Sequence, residues 1–185
     1  MKGYEVISAL ENFLSKDDII VSSNGNISRE AYHLLPKPQI YLRGSMGLPV
    51  SVGLGLAISN PSKRVIVITG DGNFLMGLGT NITASYYHPK NLKILILDNS
   101  KYFTTGGQKT VSPALDFNHF LQSINCAFHS SKKADSVTIE HDLSELLHSD
   151  SFSILHLMIE SAKKDLANIS WHPEQITKEF QKRFS

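Results

Sequence analysis

The sequence predicts an α/β fold, namely a doubly wound, mostly parallel sheet with helices on both faces. Short β-branched apolar runs alternate with segments of helical apolar periodicity along the chain. Two of these runs, residues 65–69 and 94–97, end abruptly in polar and glycine-rich residues and enclose residues 74–87, which are long enough for a helix. This arrangement is a βαβ unit. Without repeats or linker-like breaks, residues 1–185 are predicted to form one domain.

The elements before the βαβ unit follow from periodicity and from turn residues. The first helix is predicted from apolar residues at helical spacing, which are Val6, Ile7, Leu10, Phe13 and Leu14. Residues 19–21 and 40–42 are predicted to be short strands. Between them, Ser28 is predicted to be the N-cap of a helix that runs through Leu34.

A wholly apolar helix is predicted at residues 48–59, and Pro49 is acceptable in its first turn. Its small residues are expected to allow close packing against the sheet: Gly53, Gly55 and Ala57. After the βαβ unit we predict a helix capped by Asp116, a strand at 127–129, a helix at 143–148, a strand at 152–159, and a helix from Pro173 that carries Ile176, Phe180 and Phe184.

The composition is that of an ordinary globular protein, with 41% hydrophobic and 19% charged residues. A net charge of +1 gives no electrostatic reason to expect nucleic-acid binding. The single cysteine, Cys126, excludes an internal disulfide and a cysteine-ligated iron–sulfur cluster. The N-terminus does not resemble a signal peptide, and the weakly polar run at residues 46–58 is too short to cross a bilayer. We therefore expect a cytoplasmic protein without membrane contact.

Polar residues that follow the two strands of the βαβ unit indicate a metal and phosphate site. Asp71, between Gly70 and Gly72, follows the first strand, and Asn99 follows the second. Parallel pairing would bring this carboxylate and carboxamide together, and such oxygen ligands suit Mg²⁺. The glycines would let a diphosphate approach the backbone, toward which the next helix aims its N-terminal N–H groups.

A nicotinamide-binding unit is the alternative interpretation, with Asp98 as the acidic residue that binds ribose. The glycine pattern does not support it. Gly70 and Gly72 are followed by Gly77, and Leu75 occupies the position where G-x-G-x-x-G requires glycine. Asp98 is instead interpreted as structural, because a second carboxylate beside a diphosphate would be unfavourable.

The GDG sequence at residues 70–72, followed by Asn99, resembles the signature of thiamine diphosphate enzymes. In that family the Asp, the Asn and the carbonyl two residues later hold the Mg²⁺ that binds the cofactor diphosphate. The resemblance therefore implies thiamine diphosphate and Mg²⁺ as cofactors, with Asp71, Asn99 and the Lys101 carbonyl as metal ligands. The implied cofactor-binding residues are Asn24, Gly25, Asn26, Gly44, Ser45, Met46, Gly70, Asp71, Gly72, Asn73, Asn99, Lys101, Tyr102 and Phe103.

Two of these assignments have structural alternatives. The resemblance implies that the Gly44 carbonyl accepts a hydrogen bond from the cofactor's aminopyrimidine and that Met46 supports its bent shape. Met46 could equally be a core methionine in a tight turn. The loop at residues 24–26 is implied to contact the diphosphate, and Asn24 to face the substrate, although asparagine is also a common turn residue.

Four segments resemble one group within the family: SSNGNISREAY, YLRGSMGLPVSVGLGLAI, VITGDGNFLMGLGT and LDNSKYFTTGGQKT. The group contains phosphonopyruvate decarboxylase and the β subunit of sulfopyruvate decarboxylase. It implies a decarboxylase for 2-oxo acids with an anionic group on C3, which releases CO₂ and an aldehyde. Such a substrate needs a cation, and Arg43 is the first candidate because it directly follows a strand. A surface arginine is the alternative. The loop at residues 104–108 is expected to cover the site.

We assign no catalytic residue in this chain. Thiamine diphosphate enzymes need a glutamate from a second, pyrimidine-binding domain, and the resemblance already extends over the whole chain. We therefore expect that glutamate on a partner subunit in a heteromer, together with self-association of this chain. The alternatives are another split enzyme of the family, either a carboligase or a 2-oxo acid oxidoreductase, and a non-catalytic cofactor-binding regulatory subunit.

Overall fold

The computed structural model describes residues 1–126, 128–162 and 165–183. Six parallel strands form one sheet in the order β2-β1-β3-β4-β8-β7. A separate antiparallel hairpin consists of β5 and β6. The strands are β1 (Ile19–Ser22), β2 (Ile40–Tyr41), β3 (Val65–Gly70), β4 (Leu92–Asp98), β5 (Lys101–Tyr102), β6 (Gln108–Lys109), β7 (Phe128–Lys133) and β8 (Ser153–Met158).

Helices cover both faces of the six-stranded sheet. They are α1 (Gly3–Leu10), α2 (Asn26–Leu34), α3 (Pro49–Ser59), α4 (Asp71–Met76), α5 (Leu78–Tyr87), α6 (Phe117–Ser123), α7 (Ile139–His148) and α8 (Pro173–Gln181). Side chains of α1, α2 and α7 pack on one face, and those of α3, α4, α5 and α6 pack on the other. In β3, alternate residues enter the two cores: Ile66 and Ile68 belong to the core with α1, whereas Val65 and Val67 belong to the core with α3.

The strand order creates a switch point beside β1. From β1 the chain moves outward to β2, then returns to place β3 on the other side of β1, and β4 follows beyond β3. The carboxyl ends of β1, β3 and β4 consequently meet at one edge of the sheet, where ligands bind in open α/β folds. This architecture confirms the predicted fold class.

The helix predicted at residues 74–87 is in fact two helices, α4 and α5, separated at Gly77. A Cβ at Gly77 would lie 2.2 Å from the carbonyl oxygen of Gly47, so the chain turns where two backbones touch. The early start of α4 makes Asp71 its first residue, directly after β3.

Two other local predictions were wrong, namely the N-cap at Ser28 and the close packing of Gly55. Ser28 is not the N-cap of α2, because Gly25 occupies that position. The Ser28 hydroxyl instead lies between the carbonyls of Ser23 and Leu42. Gly53 does pack closely, since its Cβ would lie 2.2 Å from Val67, but a Cβ on Gly55 would meet nothing within 4 Å.

The hairpin of β5 and β6 was not predicted. The strand predicted at residues 127–129 covers only the beginning of β7, which extends to Lys133. Residues Ala127 and Phe184, which belonged to the predicted strand and to the last predicted helix, lie outside the described residues. Asp116 caps α6 as predicted, because its side chain accepts a hydrogen bond from the His119 backbone N–H. In the described part of the chain, no helix combines the length and apolar character needed to span a membrane.

Candidate functional site

A cleft lies at the carboxyl ends of β1, β3 and β4, and we call it the main cleft. Most of the predicted cofactor-binding residues line it: Asn24, Gly25, Asn26, Met46, Gly70, Asp71, Gly72, Asn73, Asn99, Lys101, Tyr102 and Phe103. Gly44 and Ser45 do not line the main cleft, although both belong to the turn that carries Met46. The topology thus brings four separate segments of the chain together, as expected for loops at the carboxyl ends of parallel strands.

Asp71 is the buried carboxylate of the main cleft, and only 2% of its surface is exposed. The hydroxyl of Thr110 donates a hydrogen bond to its Oδ2. Burial raises the pKa of Asp71 to about 6, although the hydrogen bond from Thr110 opposes this rise. Among the residues that the structure describes, no cationic side chain forms an ion pair with Asp71. A bound divalent cation would supply the missing positive charge.

Asn99 lines the main cleft directly after β4 and is half-buried. Its Oδ1 accepts a hydrogen bond of 2.9 Å from the Lys101 backbone N–H, which closes a tight turn after β4. The described residues contain no group of three or more His, Cys, Asp or Glu side chains that could hold a metal ion. One carboxylate with amide and carbonyl oxygens suits Mg²⁺, which completes its shell with phosphate and water.

Both carboxylate oxygens of Asp98 accept hydrogen bonds from other residues of the protein. Its Oδ2 accepts hydrogen bonds from the Ser112 hydroxyl and, at 3.0 Å, from His156 Nε2, while its Oδ1 accepts from the Ser100 backbone at 2.8 Å. Burial would raise the pKa of Asp98, but the hydrogen bonds from His156 and Ser112 outweigh it and lower the pKa. This network supports the interpretation of Asp98 as a structural residue.

Asn73 joins two loops of the site. Its Oδ1 accepts a hydrogen bond of 3.0 Å from the Gly47 backbone N–H, and its Nδ2 donates one of 3.0 Å to Asn24 Oδ1. The side chain is only 9% exposed. Asn73 was predicted as a cofactor-binding residue. In the structure, its side chain holds the loop of Asn24 against the loop of Met46.

The aromatic side of the main cleft is fitted closely against the backbone of α4. A Cβ at Gly72 would lie 2.3 Å from the Tyr102 ring, so only glycine allows the ring to pack there. Met46 is partly buried and lines the cleft from a turn in which Gly44, Ser45 and Gly47 all have positive φ. This constrained backbone presents the Met46 side chain to the main cleft.

Arg43 does not line the main cleft. It is exposed, and its Nη1 donates a hydrogen bond of 3.1 Å to the Trp171 carbonyl. Together with Arg29 it lines a neighbouring cleft, which we call the side cleft, formed by Asn24, Gly25, Ser28, Arg29, Leu42, Arg43, Gly44, Asn168 and Ile169. Asn24 and Gly25 line both clefts.

Sequence reasoning did not identify Arg29, Thr110 or Ser23. Arg29 could have been found from its place in the first turns of the helix that follows the Asn24 loop. Thr110 had no local signal, because its partner Asp71 is far away in the sequence. Ser23 lines the main cleft, and its buried hydroxyl has no hydrogen-bond partner among the described residues.

Comparison with known proteins agrees with the motifs. The sulfopyruvate decarboxylase subunit beta of Methanothermobacter thermautotrophicus is 35% identical over 181 residues, which cover 96% of this chain and 94% of that protein. The phosphonopyruvate decarboxylase of Streptomyces viridochromogenes is also 35% identical over 181 residues, but the matched part is only 45% of its length.

A solved structure and a family model extend this comparison. A putative thiamin diphosphate-dependent enzyme from Mycobacterium smegmatis shares the fold with a TM-score of 0.71 and 20% identity, over 86% of this chain and 32% of that one. Residues 23–156 match the family described as thiamine pyrophosphate enzyme, C-terminal TPP binding domain. Thiamine pyrophosphate is the thiamine diphosphate that the GDG motif predicted. The chain therefore belongs to the thiamine pyrophosphate enzymes, through their C-terminal cofactor-binding domain.

Proposed function

We propose that this chain is the diphosphate- and Mg²⁺-binding subunit of a split thiamine diphosphate-dependent decarboxylase. Its substrate would be an anionic 2-oxo acid of the sulfopyruvate or phosphonopyruvate type, and its products CO₂ and an aldehyde. The observation that carries the proposal is the similarity to a sulfopyruvate decarboxylase subunit beta over 94% of that subunit. The relatives named above are decarboxylases, and they do not favour the alternatives of a carboligase, an oxidoreductase or a regulatory subunit.

Within this subunit, Asp71, Asn99 and the Lys101 carbonyl would hold Mg²⁺ against the diphosphate. The N-terminal N–H groups at the Gly72 end of α4 would face the phosphate oxygens. When bound, the cofactor supplies the electron sink that allows the substrate carboxyl group to leave as CO₂. Tyr102 and Phe103 would limit the access of water from the hairpin side of the main cleft.

The proposal requires a partner. No glutamate is among the described residues that line the main cleft, so the activating glutamate would come from a pyrimidine-binding subunit. Exposed apolar side chains near the site support an interface: Leu48 is 47% exposed and Met76 61% exposed, both next to Gly47. We infer a heteromer and self-association of this chain, while the cytoplasmic location stays a prediction.

The test is to mix the purified chain with its pyrimidine-binding partner and to measure CO₂ and aldehyde from sulfopyruvate and phosphonopyruvate. Activity should appear only in the mixture, with thiamine diphosphate and Mg²⁺ present. Asp71→Asn should abolish Mg²⁺-dependent cofactor binding measured by calorimetry, because a neutral ligand leaves the diphosphate charge poorly balanced. The control is Asp17→Asn, which removes an exposed carboxylate before β1, at the other end of that strand. Turnover by the chain alone, at a rate that the partner does not change, would refute the split-enzyme proposal.

A further inference from the structure

We propose that the side cleft binds the sulfonate or phosphonate group of the substrate, and that Arg29 is its principal cation, with Arg43 as the second. This inference rests on the proposed function and specifies which residues recognise the anionic group on C3. It shifts the main role in recognition from Arg43, the sequence-based candidate, to Arg29.

The first argument is position. The side cleft and the main cleft share the loop of Asn24 and Gly25 as a common wall. A small 2-oxo acid with its reacting carbon in the main cleft would need to extend only past this loop for its far end to enter the side cleft. Space is available on that side, because a Cβ built on Gly44 would meet nothing within 4 Å.

The second argument is charge. Arg29 is half-buried in α2, and within the described part of the chain its guanidinium forms no hydrogen bond or ion pair. No Asp or Glu is among the described residues that line the side cleft. A partly buried arginine without a counter-ion is costly unless a ligand supplies the negative charge.

The third argument is preorganisation. Arg43 is fixed by its hydrogen bond to the Trp171 carbonyl, which uses one of the five N–H donors of the guanidinium. The segments that carry the two arginines are joined by Ser28, whose hydroxyl contacts the Leu42 carbonyl at 3.0 Å. The backbone segments that carry the two arginines are therefore held at one cleft before any ligand arrives, which lowers the entropic cost of binding.

The chemistry of the ligand fits this pair. Sulfonate and phosphonate groups each present three oxygens, and guanidinium groups bind such oxyanions through paired N–H donors. Pyruvate lacks the group and gains nothing from the side cleft. The side cleft would thus determine specificity, while the main cleft carries the cofactor.

The experiment uses the assembled enzyme with its partner subunit, and compares Arg29→Gln, Arg43→Gln and the control Lys90→Gln. Lys90 is exposed in the turn before β4, at the other end of the sheet, so its removal changes the net charge equally. In Arg29→Gln, the ratio of kcat/KM for sulfopyruvate to that for pyruvate should fall about 30-fold, as expected for a lost charged hydrogen bond. Arg43→Gln should lower this ratio less, and Lys90→Gln should leave it as in the wild type.

A second measurement does not depend on turnover. Methylphosphonate should inhibit the wild-type enzyme competitively, and its inhibition constant should rise about tenfold in Arg29→Gln, with Arg29→Lys in between. Equal losses for sulfopyruvate and pyruvate, or an unchanged inhibition constant, would overturn the inference. If the wild-type complex decarboxylates neither sulfopyruvate nor phosphonopyruvate, the proposed function itself fails, which is a distinguishable result.

Discussion

Replacing Asn73 by alanine should weaken cofactor binding without removing any of the proposed metal ligands. The side chain makes two hydrogen bonds of 3.0 Å, one from the Gly47 N–H and one to Asn24 Oδ1. In Asn73→Ala both are lost, and the two loops that line the main cleft are no longer joined. The fold around them should persist, because α4 contacts both β3 and β4 and the buried Phe74 anchors it in the core.

The size of the effect follows from these two contacts. A neutral hydrogen bond contributes about 1 kcal/mol, so the pair holds the loops together by about 2 kcal/mol. Cofactor binding would have to restore the loop arrangement and would lose at most the same free energy. Since 1.4 kcal/mol corresponds to a factor of ten, the Kd for thiamine diphosphate should rise by up to about 30-fold.

Calorimetric titration of the assembled enzyme with thiamine diphosphate at saturating Mg²⁺ measures this Kd. Asn91→Ala is the matched control, because the Asn91 amide donates to the Ala57, Asn60 and Lys63 carbonyls at the opposite end of the sheet. Both variants should unfold at lower urea concentrations, but only Asn73→Ala should change the Kd. A wild-type Kd in Asn73→Ala, at a comparable loss of stability, would show that other contacts position the loops.

Two further predictions concern the metal and the cofactor. Thr110→Val removes the hydrogen bond that opposes the raised pKa of Asp71, so this pKa should rise further above about 6. Because only the ionised carboxylate binds metal, the Mg²⁺ dependence of thermal stability should weaken more at pH 6 than at pH 8, whereas Thr110→Ser should behave as the wild type. Met46→Ala should lower kcat more than cofactor affinity, since the metal contacts remain; a collapse of affinity with the fold intact would make Met46 a packing residue.

The positions of the site loops were predictable because their signals are local. A β-branched run that ends in glycine and aspartate marks the carboxyl end of a strand, and the order of such strands brings Asp71 and Asn99 to one edge. The contacts that hold the site together were not predictable, because they join distant segments. Asn73 meets Asn24 across 49 residues, and Thr110 meets Asp71 across 39. No periodicity or motif reports such tertiary pairs.

The same distant contacts indicate how the loop over the main cleft can move. Its first residues are held at Asp98, whose Oδ1 accepts from the Ser100 backbone, and its last residues are held at Asp71, to which Thr110 donates. The Thr110 backbone N–H also donates to the Ser100 carbonyl at 3.0 Å, which closes the base of the loop. Ligand-dependent movement should therefore be confined to the tip at residues 103–107, where two glycines have positive φ. Because the base is fixed on Asp98 and Asp71, closure of the tip would not displace Asp71 or Asn99, the proposed metal ligands.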